Sequence, residues 1–238
     1  MKPDLNCDLG EGEPRARTAS LLRWITSANL ACGGHAGDLA SMRAALRLAK
    51  RHGVRVGAHP GPPARGDFGR GAIGLGEDEL ELLLLQQVGS LARLARAEGV
   101  ALRHIKLHGA LYHATDTHPA LAMRYVVAAR RWWPQCVLYA RAGGLVERVA
   151  RQRGVRCWGE MFADRGYCDD GTLVPRTEPG ALLTDPRRVR ARVDWFRRCG
   201  QVETQSGRFL KLSARTICVH SDTPGAALLA RTVAEALR

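Results

Sequence analysis

The stretch DLNCDLG, residues 4–10, alternates polar and apolar side chains and ends in a glycine. Successive side chains of an extended strand point to opposite faces, so Asp4, Asn6 and Asp8 share one face. Two acids and an amide that face the interior of a protein are costly unless they bind a ligand or one another. The pattern therefore predicts a functional strand, and an exposed edge strand with a polar face remains the alternative.

Six further runs are typical of strands, and helix-length stretches with a period near 3.6 lie between most of them. The strand-like runs are SANLACG (27–33), RVGAHPG (55–61), LRHIKLHG (102–109), CVLYARA (136–142), RCWGEMFAD (156–164) and RTICVHSD (215–222). Strands that alternate with helices predict a parallel sheet. With 238 residues, 45% of them hydrophobic, we expect one α/β domain over residues 1–238.

Helix boundaries and one irregular segment can also be predicted. Asp38 and Asp78 are expected to start the helices in DLASMRAALRLAKRHG (38–53) and DELELLLLQQVGSLARLARAEG (78–99). The stretch QVETQSGRFLKLSA, residues 201–214, interrupts the alternation and predicts a small hairpin or an irregular excursion.

Composition limits the classes of partner. The net charge is +13, but arginine supplies all except four of the 36 basic residues and is spread along helical segments without aromatic stacking residues, so we expect no nucleic-acid partner. No apolar run approaches the roughly 18 residues of a membrane span, and the start of the chain lacks a basic and apolar leader. The seven cysteines form no C-x-x-C pair, which favours a reducing compartment. We therefore expect a cytoplasmic protein with no membrane partner.

Polar residues stand at or just after the ends of most strands, namely Asp8, His35, His59, His108, Glu160 and His220. A barrel of parallel strands collects these ends on one face, where barrel enzymes carry their chemistry. His35 and Asp38 would both join that ring, although each has an alternative role at the start of the following helix.

Six blocks of sequence, in order and over essentially the whole chain, resemble the LamB/YcsF family. The blocks are DLNCDLGE, ITSANLACGGHAGD, VGAHPG followed by FGR, KLHGALYH, GEMFADRGYCDDGTLVPR and ICVHSD. The resemblance implies a distorted seven-stranded (β/α) barrel of the glycoside hydrolase/deacetylase type. Characterised members are the A subunits of a prokaryotic 5-oxoprolinase that opens 5-oxo-L-proline to L-glutamate. The resemblance thus implies that substrate, the use of ATP by the complex, and partner subunits B and C.

The chain departs from the usual family pattern at four positions near loops. Leu107 and His113 replace a proline and an asparagine, Ala64 replaces an aspartate, and Ser221 replaces a glycine. These departures bear on substrate detail more than on the fold.

Opening a lactam requires a nucleophilic water, a donor for the developing oxyanion and a proton for the leaving nitrogen. We expect Asp8 and His59 to form the acid/base centre, with Lys106 and His108 beside them. Lys106 or Arg165 is the candidate oxyanion donor. The candidate substrate-binding residues are Asn6, Asn29, His35, Asp38, Glu160, Arg165, Arg176 and His220, of which the two arginines suit a carboxylate or phosphate.

Some of these residues have simpler explanations. Glu160 and Asp164 would alternatively serve only to hold Arg165 in place. The remaining histidines are expected on helices or loops as surface or packing residues, namely His52, His104, His113 and His118.

Two other functions remain open. Asp8, His35 and His59 would form an open metal site in a metal-dependent amide or carbohydrate deacetylase, although no compact H-x-x-x-H spacing supports it. A non-catalytic binding homologue is the third reading. The chain has no G-x-x-x-x-G-K-[ST] motif, so partner subunits are expected to supply the ATP-dependent step.

Overall fold

The computed structural model describes residues 3–238, in which seven parallel strands form a closed barrel. All seven predicted strands are present, and the predicted seven-stranded barrel is confirmed. Around the barrel the strands are β1 (Asp4–Leu9), β2 (Ser27–Ala31), β3 (Arg55–His59), β4 (Leu102–Lys106), β5 (Val137–Arg141), β6 (Cys157–Phe162) and β9 (Thr216–Val219).

Helices connect most of the strands and cover the outside of the barrel. They are α1 (Arg15–Leu22), α2 (Leu39–His52), α3 (Glu77–Ala97), α4 (Gly109–Thr117), α5 (Pro119–Trp132), α6 (Leu145–Gln152), α7 (Pro186–Cys199) and α8 (Ala226–Ala236). Within residues 3–238, no helix combines the length and the apolar character needed to cross a membrane.

The predicted helix starts are half correct. Asp38 is the N-cap of α2 and accepts a hydrogen bond from the Ser41 amide. The start expected at Asp78 is wrong, because α3 already begins at Glu77 after the N-cap Gly76. Glu79 accepts a hydrogen bond from the Gly76 amide at 2.7 Å, which places Asp78 inside the first turn.

The irregular segment before the last barrel strand is a hairpin. Strands β7 (Gln201–Glu203) and β8 (Phe209–Lys211) pair antiparallel and stand apart from the barrel. The hairpin alternative is therefore confirmed.

The two faces of the barrel strands differ in polarity. The outward face is aliphatic and packs against the helices, as with Leu5 on β1 and Ile105 on β4. The inward face is unusually polar for a parallel barrel, whose interior is commonly filled by branched aliphatic side chains. Its buried polar side chains include Asp4, Asn6, Ser27, Asn29, His104, Lys106, Glu160 and Thr216.

Gly57 on β3 makes room for one of these inward side chains. A Cβ atom at Gly57 would lie 2.1 Å from the ring of His104 on the neighbouring strand. That ring stacks on Tyr139 with centroids 4.1 Å apart and is fully enclosed, so it has little space to move away. Glycine is therefore required at this position for a packing reason.

We predict that Gly57→Ala lowers the free energy of unfolding by about 1–3 kcal/mol, because the added methyl group overpacks the barrel interior. The measurement is urea unfolding followed by circular dichroism. Gly74→Ala is the matched control, since an added Cβ there meets no atom within 4 Å. Equal stabilities of the two variants would contradict this explanation.

Candidate active site

Strand β1 supplies the centre of a buried hydrogen-bond network. The Asn6 amide nitrogen donates to Glu160 Oε1 at 2.9 Å and to Thr216 Oγ1 at 2.8 Å, and its carbonyl oxygen accepts from Asn29 at 2.8 Å. Because β1 pairs with β2 on one side and β9 on the other, it is not an edge strand. The polar residues of DLNCDLG therefore point inward, as predicted, and side chains of the other barrel strands satisfy them.

Lys106, at the end of β4, crosses the barrel to reach two carboxylates. Its ammonium nitrogen lies 3.0 Å from Asp8 Oδ1, 3.1 Å from Glu160 Oε1 and 3.0 Å from Cys218 Sγ. Burial alone would lower the pKa of Lys106, but Asp8, Cys218 and Glu160 together raise it well above its ordinary value. Lys106 is only 2% exposed, so its ammonium is a buried cation and not a solvated surface charge.

Asp8 lies between Lys106 and the histidines. Its Oδ1 accepts from Lys106 and from Asn29, whereas its Oδ2 lies 3.5 Å from His59 Nε2. Burial opposes the ionisation of Asp8, but His59 and Lys106 hold its pKa well below the ordinary value. Asp8 is therefore an ionised carboxylate with one oxygen turned towards the imidazoles.

Three histidines from three different strand ends converge on one glutamate. Glu11 Oε1 lies 2.9 Å from His35 Nε2, 3.3 Å from His108 Nδ1 and 3.6 Å from His59 Nε2. The rings of His35 and His108 stack with centroids 3.5 Å apart. We call Glu11, His35, His59 and His108 the histidine cluster.

Backbone carbonyls fix the tautomers of two rings in the histidine cluster. His59 Nδ1 donates to the Lys106 carbonyl at 2.8 Å, and His108 Nε2 donates to the Phe68 carbonyl at 2.8 Å. A carbonyl oxygen only accepts, so both of these nitrogens carry hydrogen. The inward nitrogens of the two rings, His59 Nε2 and His108 Nδ1, then face each other at 3.0 Å.

Burial and charge act differently on the three rings. Burial lowers the pKa of His35 to about 4 and also lowers the pKa of His108. Burial has the same effect on His59, but the charges of Asp8 and Glu11 outweigh it and raise the pKa of His59. Burial disfavours the charge of Glu11 too, yet its contacts with His108 and His35 keep its pKa below the ordinary value.

Phe68 covers the histidine cluster. Its ring packs edge-on against His35 and His108, with centroids 5.4 and 5.3 Å away. Within residues 3–238 it is the one residue other than glycine with a positive φ, at 57°. Such a conformation is strained for a bulky side chain and marks sites where the surroundings hold the backbone in place.

His220 brings a further imidazole close to Asp8. His220 Nδ1 is 3.0 Å from Asp164 Oδ1, and Asp164 Oδ2 accepts from the His220 amide at 2.9 Å and from Thr223 at 2.6 Å. One carboxylate oxygen of Asp8, a ring nitrogen of His220 and Cys218 Sγ lie within 4.8 Å of one another. Asp164 therefore orients His220 beside Asp8.

The structure thus brings together most of the predicted site residues. Those at the barrel mouth or in the connected network are Asn6, Asp8, Asn29, His35, His59, Lys106, His108, Glu160 and His220. Asp38 does not join them, because it is exposed and its carboxylate caps α2.

The predicted arginines are engaged elsewhere. Arg165 donates through Nε to the Ala181 carbonyl at 3.0 Å and through Nη2 to the Val174 carbonyl at 2.7 Å, so it orders the loop after β6. Arg176 pairs with Asp222 at 3.2 Å, and Arg70 pairs with the same carboxylate at 2.5 Å. Among the described residues, neither Glu160 nor Asp164 makes a hydrogen bond or an ion pair with Arg165. The charge of Asp164 favours the charged guanidinium, but backbone carbonyls make its hydrogen bonds.

One histidine was assigned to the wrong kind of element. His104 lies on β4 and not on a helix or loop, and its Nε2 is 2.7 Å from Asn29 Oδ1. Burial lowers its pKa to about 3, so His104 is neutral.

Glu11 is the residue of the candidate site that sequence reasoning missed. It follows β1 in the segment GEGE, where nothing distinguishes it from an exposed loop acid. The sequence offered one indication: Glu11 follows Asp8 by only three residues, so it had to lie near the same end of the barrel.

The departures from the family pattern have different surroundings. Ser221 reaches the histidine cluster, where its hydroxyl lies 3.4 Å from Glu11 Oε2. Leu107 is buried in the core, and His113 is exposed on α4. The Ala64 carbonyl accepts a hydrogen bond from Gly69 in the loop that carries Phe68.

Comparison with known proteins gives a consistent assignment. Residues 3–238 match the LamB/YcsF family. The chain belongs to the LamB/YcsF family. The A subunit of the 5-oxoprolinase from Syntrophobacter fumaroxidans is 42% identical over 240 residues, which cover 100% of this chain and 95% of the relative. The corresponding A subunit from Pyrococcus furiosus is 42% identical over 229 residues, which cover 95% of this chain and 90% of the relative.

Solved structures agree with the family assignment. The crystal structure of a lactam utilization protein from Thermus thermophilus has a TM-score of 0.91 and 38% identity, and covers 100% of this chain and 96% of that chain. A putative cellobiose-phosphate cleavage protein from Enterococcus faecalis shares the fold alone, with a TM-score of 0.56 and 14% identity over 98% of this chain and 89% of that chain.

The contacts of Asp164 predict how stability depends on pH. Burial opposes its charge, but His220 and Thr223 lower its pKa from 3.8 to about 2. Because the folded-state pKa lies below the unfolded value, the ionised carboxylate stabilises the fold above about pH 4 and loses this effect as the pH falls towards 2. We expect Asp164→Asn to cost about 2 kcal/mol of unfolding free energy at pH 7.

The measurement is urea unfolding of the wild type and of Asp164→Asn from pH 7 to pH 3. The difference between their free energies of unfolding should become smaller below pH 4. Asp78→Asn is the control, because that side chain is 93% exposed and should change stability by less than about 0.5 kcal/mol. A difference that does not change with pH would assign the effect of Asp164 to neutral hydrogen bonding.

Proposed function

We propose that the chain is the A subunit of an ATP-dependent 5-oxoprolinase and opens 5-oxo-L-proline to L-glutamate together with partner subunits B and C. The observation that carries the proposal is a buried Asp8–Lys106 ion pair beside histidines at the carboxyl ends of the strands. This is a set of groups suited to acyl transfer from a lactam. The names of the relatives from Syntrophobacter fumaroxidans and Pyrococcus furiosus support the same activity.

The proposed roles follow from charge and position. Asp8 is ionised, and its Oδ2 faces His59, so this pair is the candidate centre for activating water. The permanent charge of Lys106 suits it to stabilise the negative charge that develops on the lactam oxygen. His220, oriented by Asp164, is the candidate proton donor to the leaving nitrogen, as an imidazole held by a carboxylate can carry a proton to a leaving group.

Binding of the substrate carboxylate or a phosphate is assigned to the rim. Arg176 and Arg70 share the single carboxylate of Asp222 and are partly exposed, which leaves an excess of positive charge there. Arg165 is the weaker candidate because two of its donors are engaged by backbone carbonyls.

ATP is proposed to act outside this chain. A five-membered lactam is stable to hydrolysis, and phosphorylation of its oxygen creates a better leaving group. The sequence has no phosphate-binding G-x-x-x-x-G-K-[ST] motif, so we assign that step to subunits B and C. Because a phosphorylated imidate would hydrolyse in free water, it must pass directly to the barrel mouth. A cytoplasmic location fits the seven free cysteines.

We expect glutamate and ADP to form only when this chain, subunits B and C, ATP and 5-oxoproline are all present. The assay compares the chain alone, the partners alone and the complete mixture. Glutamate formed by the isolated chain without ATP would contradict the proposal and favour a metal-dependent hydrolase, which the histidine cluster also suits. Glutamate formed by the partners alone would indicate a non-catalytic binding role.

We expect Asp8→Asn to reduce turnover of the complete mixture by roughly 10²–10⁴-fold, because the variant keeps the shape of the side chain but loses the base. His59→Ala should also abolish turnover while the fold is retained. Glutamate formation measures activity, and circular dichroism verifies folding.

His113→Asn is the control for both variants, since His113 is exposed on α4. Folded Asp8→Asn protein with wild-type turnover would remove Asp8 from the mechanism. A loss of only about tenfold would indicate positioning of the substrate and not proton transfer.

A further inference from the structure

Four donor atoms of the histidine cluster surround one point. They are Glu11 Oε1, His35 Nε2, His59 Nε2 and His108 Nδ1, and all lie within 4.8 Å of one another. Glu11 Oε1 lies 2.9–3.6 Å from the three ring nitrogens, and His59 Nε2 lies 3.0 Å from His108 Nδ1. Donors arranged tetrahedrally around a cation with bonds of about 2.0–2.1 Å are separated by about 3.4 Å. The cluster therefore has the spacing of a coordination shell.

The hydrogen bonds behind two of the rings point to the same conclusion. His59 and His108 each donate their outer N–H to a backbone carbonyl. In the neutral form of each ring the inward nitrogen therefore carries a lone pair, and these two nitrogens, His59 Nε2 and His108 Nδ1, are 3.0 Å apart. Two acceptors at this distance repel unless a proton or a cation lies between them. Metal-binding histidines commonly donate their second N–H to a carbonyl, which turns the unprotonated nitrogen towards the ion.

Charge balance also favours a cation. The side chain of Glu11 is 5% exposed, and its described ion-pair partners are the three histidines, with no lysine or arginine among them. The neighbouring carboxylates of Asp8 and Glu160 share the single ammonium of Lys106. A buried carboxylate requires a paired positive charge, which a cation held among the three rings would supply.

We propose that Glu11, His35, His59 and His108 bind one divalent transition-metal ion of the zinc type. Imidazole nitrogens with one carboxylate form a ligand set that suits Zn²⁺ better than Mg²⁺, which prefers oxygen ligands. His35 is the least constrained ligand, because its outer nitrogen Nδ1 is buried without a hydrogen-bond partner among the described residues. In this arrangement His59 and His108 serve as ligands, and Asp8 remains the adjacent base. The cation site does not depend on the ring-opening reaction proposed above.

The test measures the metal directly. Full-length protein is analysed by mass spectrometry for bound metals, stripped with a chelator, and titrated with ZnCl₂ by calorimetry. We expect one Zn²⁺ per chain, an increase in Tm on addition of Zn²⁺, and no competition from millimolar Mg²⁺. Co²⁺ in place of Zn²⁺ should give visible d–d absorption from a nitrogen-rich site.

Substitutions assign the ligands. Glu11→Gln and His108→Ala should each weaken Zn²⁺ binding by at least 100-fold, because each removes a ligand, whereas His35→Ala should have the smallest effect of the four ligand positions. His113→Ala, an exposed histidine on α4, should bind Zn²⁺ like the wild type. Circular dichroism of the stripped variants shows that they are folded.

Three results would overturn the cation site. They are a wild type that neither contains nor binds Zn²⁺, a folded Glu11→Gln variant that binds it with unchanged affinity, and equal losses in His113→Ala and His108→Ala. A wild type that neither contains nor binds Zn²⁺ would mean that a proton on His59, and not a metal ion, lies between the rings of His59 and His108.

The tests distinguish a failure of the cation site from a failure of the proposed ring-opening function. A protein that binds no metal but forms glutamate with ATP and the partner subunits would refute the cation site alone. A protein that binds Zn²⁺ but forms no glutamate in any mixture would refute the proposed function and support the cation site.

Discussion

The ammonium of Lys106 crosses a closed barrel to join carboxylates on two other strands, and the rest of the interior is arranged around this contact. A closed barrel excludes water, so inward polar groups depend on partners within the protein. Lys106 pairs Asp8 on β1 with Glu160 on β6. Asn29 and Asn6 donate to the same two oxygens, Asp8 Oδ1 and Glu160 Oε1, and Tyr112 donates to the other oxygen of Glu160. Loss of one partner from such a buried pair is expensive, commonly about 3–5 kcal/mol, because a charge is left uncompensated. The groups proposed to carry the chemistry therefore also link the strands of the barrel.

The strands and the core of the site could be predicted because both follow from periodicity. The alternation of Asp4, Asn6 and Asp8 requires an inward polar face, and parallel strands then gather residues at their ends, such as His59 and His108. A period of two in one strand and the repetition of strand and helix are local signals. They need no knowledge of which side chains meet across the barrel.

Other features of the site could not be predicted, because they depend on contacts between residues that are distant in the sequence. Glu11 lies in a glycine-rich loop, and only the closure of the barrel brings it to His35 and His108. The positive φ of Phe68 is imposed by the surrounding loop, and no preference of phenylalanine indicates it. His35 and Asp38 are three residues apart, yet the first turns into the barrel mouth and the second caps a helix in solvent. Proximity in sequence was therefore a poor guide to shared function at this loop.

The histidines at the barrel mouth are divided by their partners into two kinds of group. His59 and His108 donate to backbone carbonyls, which accept a hydrogen bond but carry no full charge. Such partners fix the tautomer and direct an unprotonated nitrogen inward, as a ligand requires. His220 instead contacts the carboxylate of Asp164, and a carboxylate also balances the positive charge of a ring that has taken up a proton. Asp8 is close to both kinds of group, so under the roles proposed above one barrel mouth would combine cation binding with proton transfer.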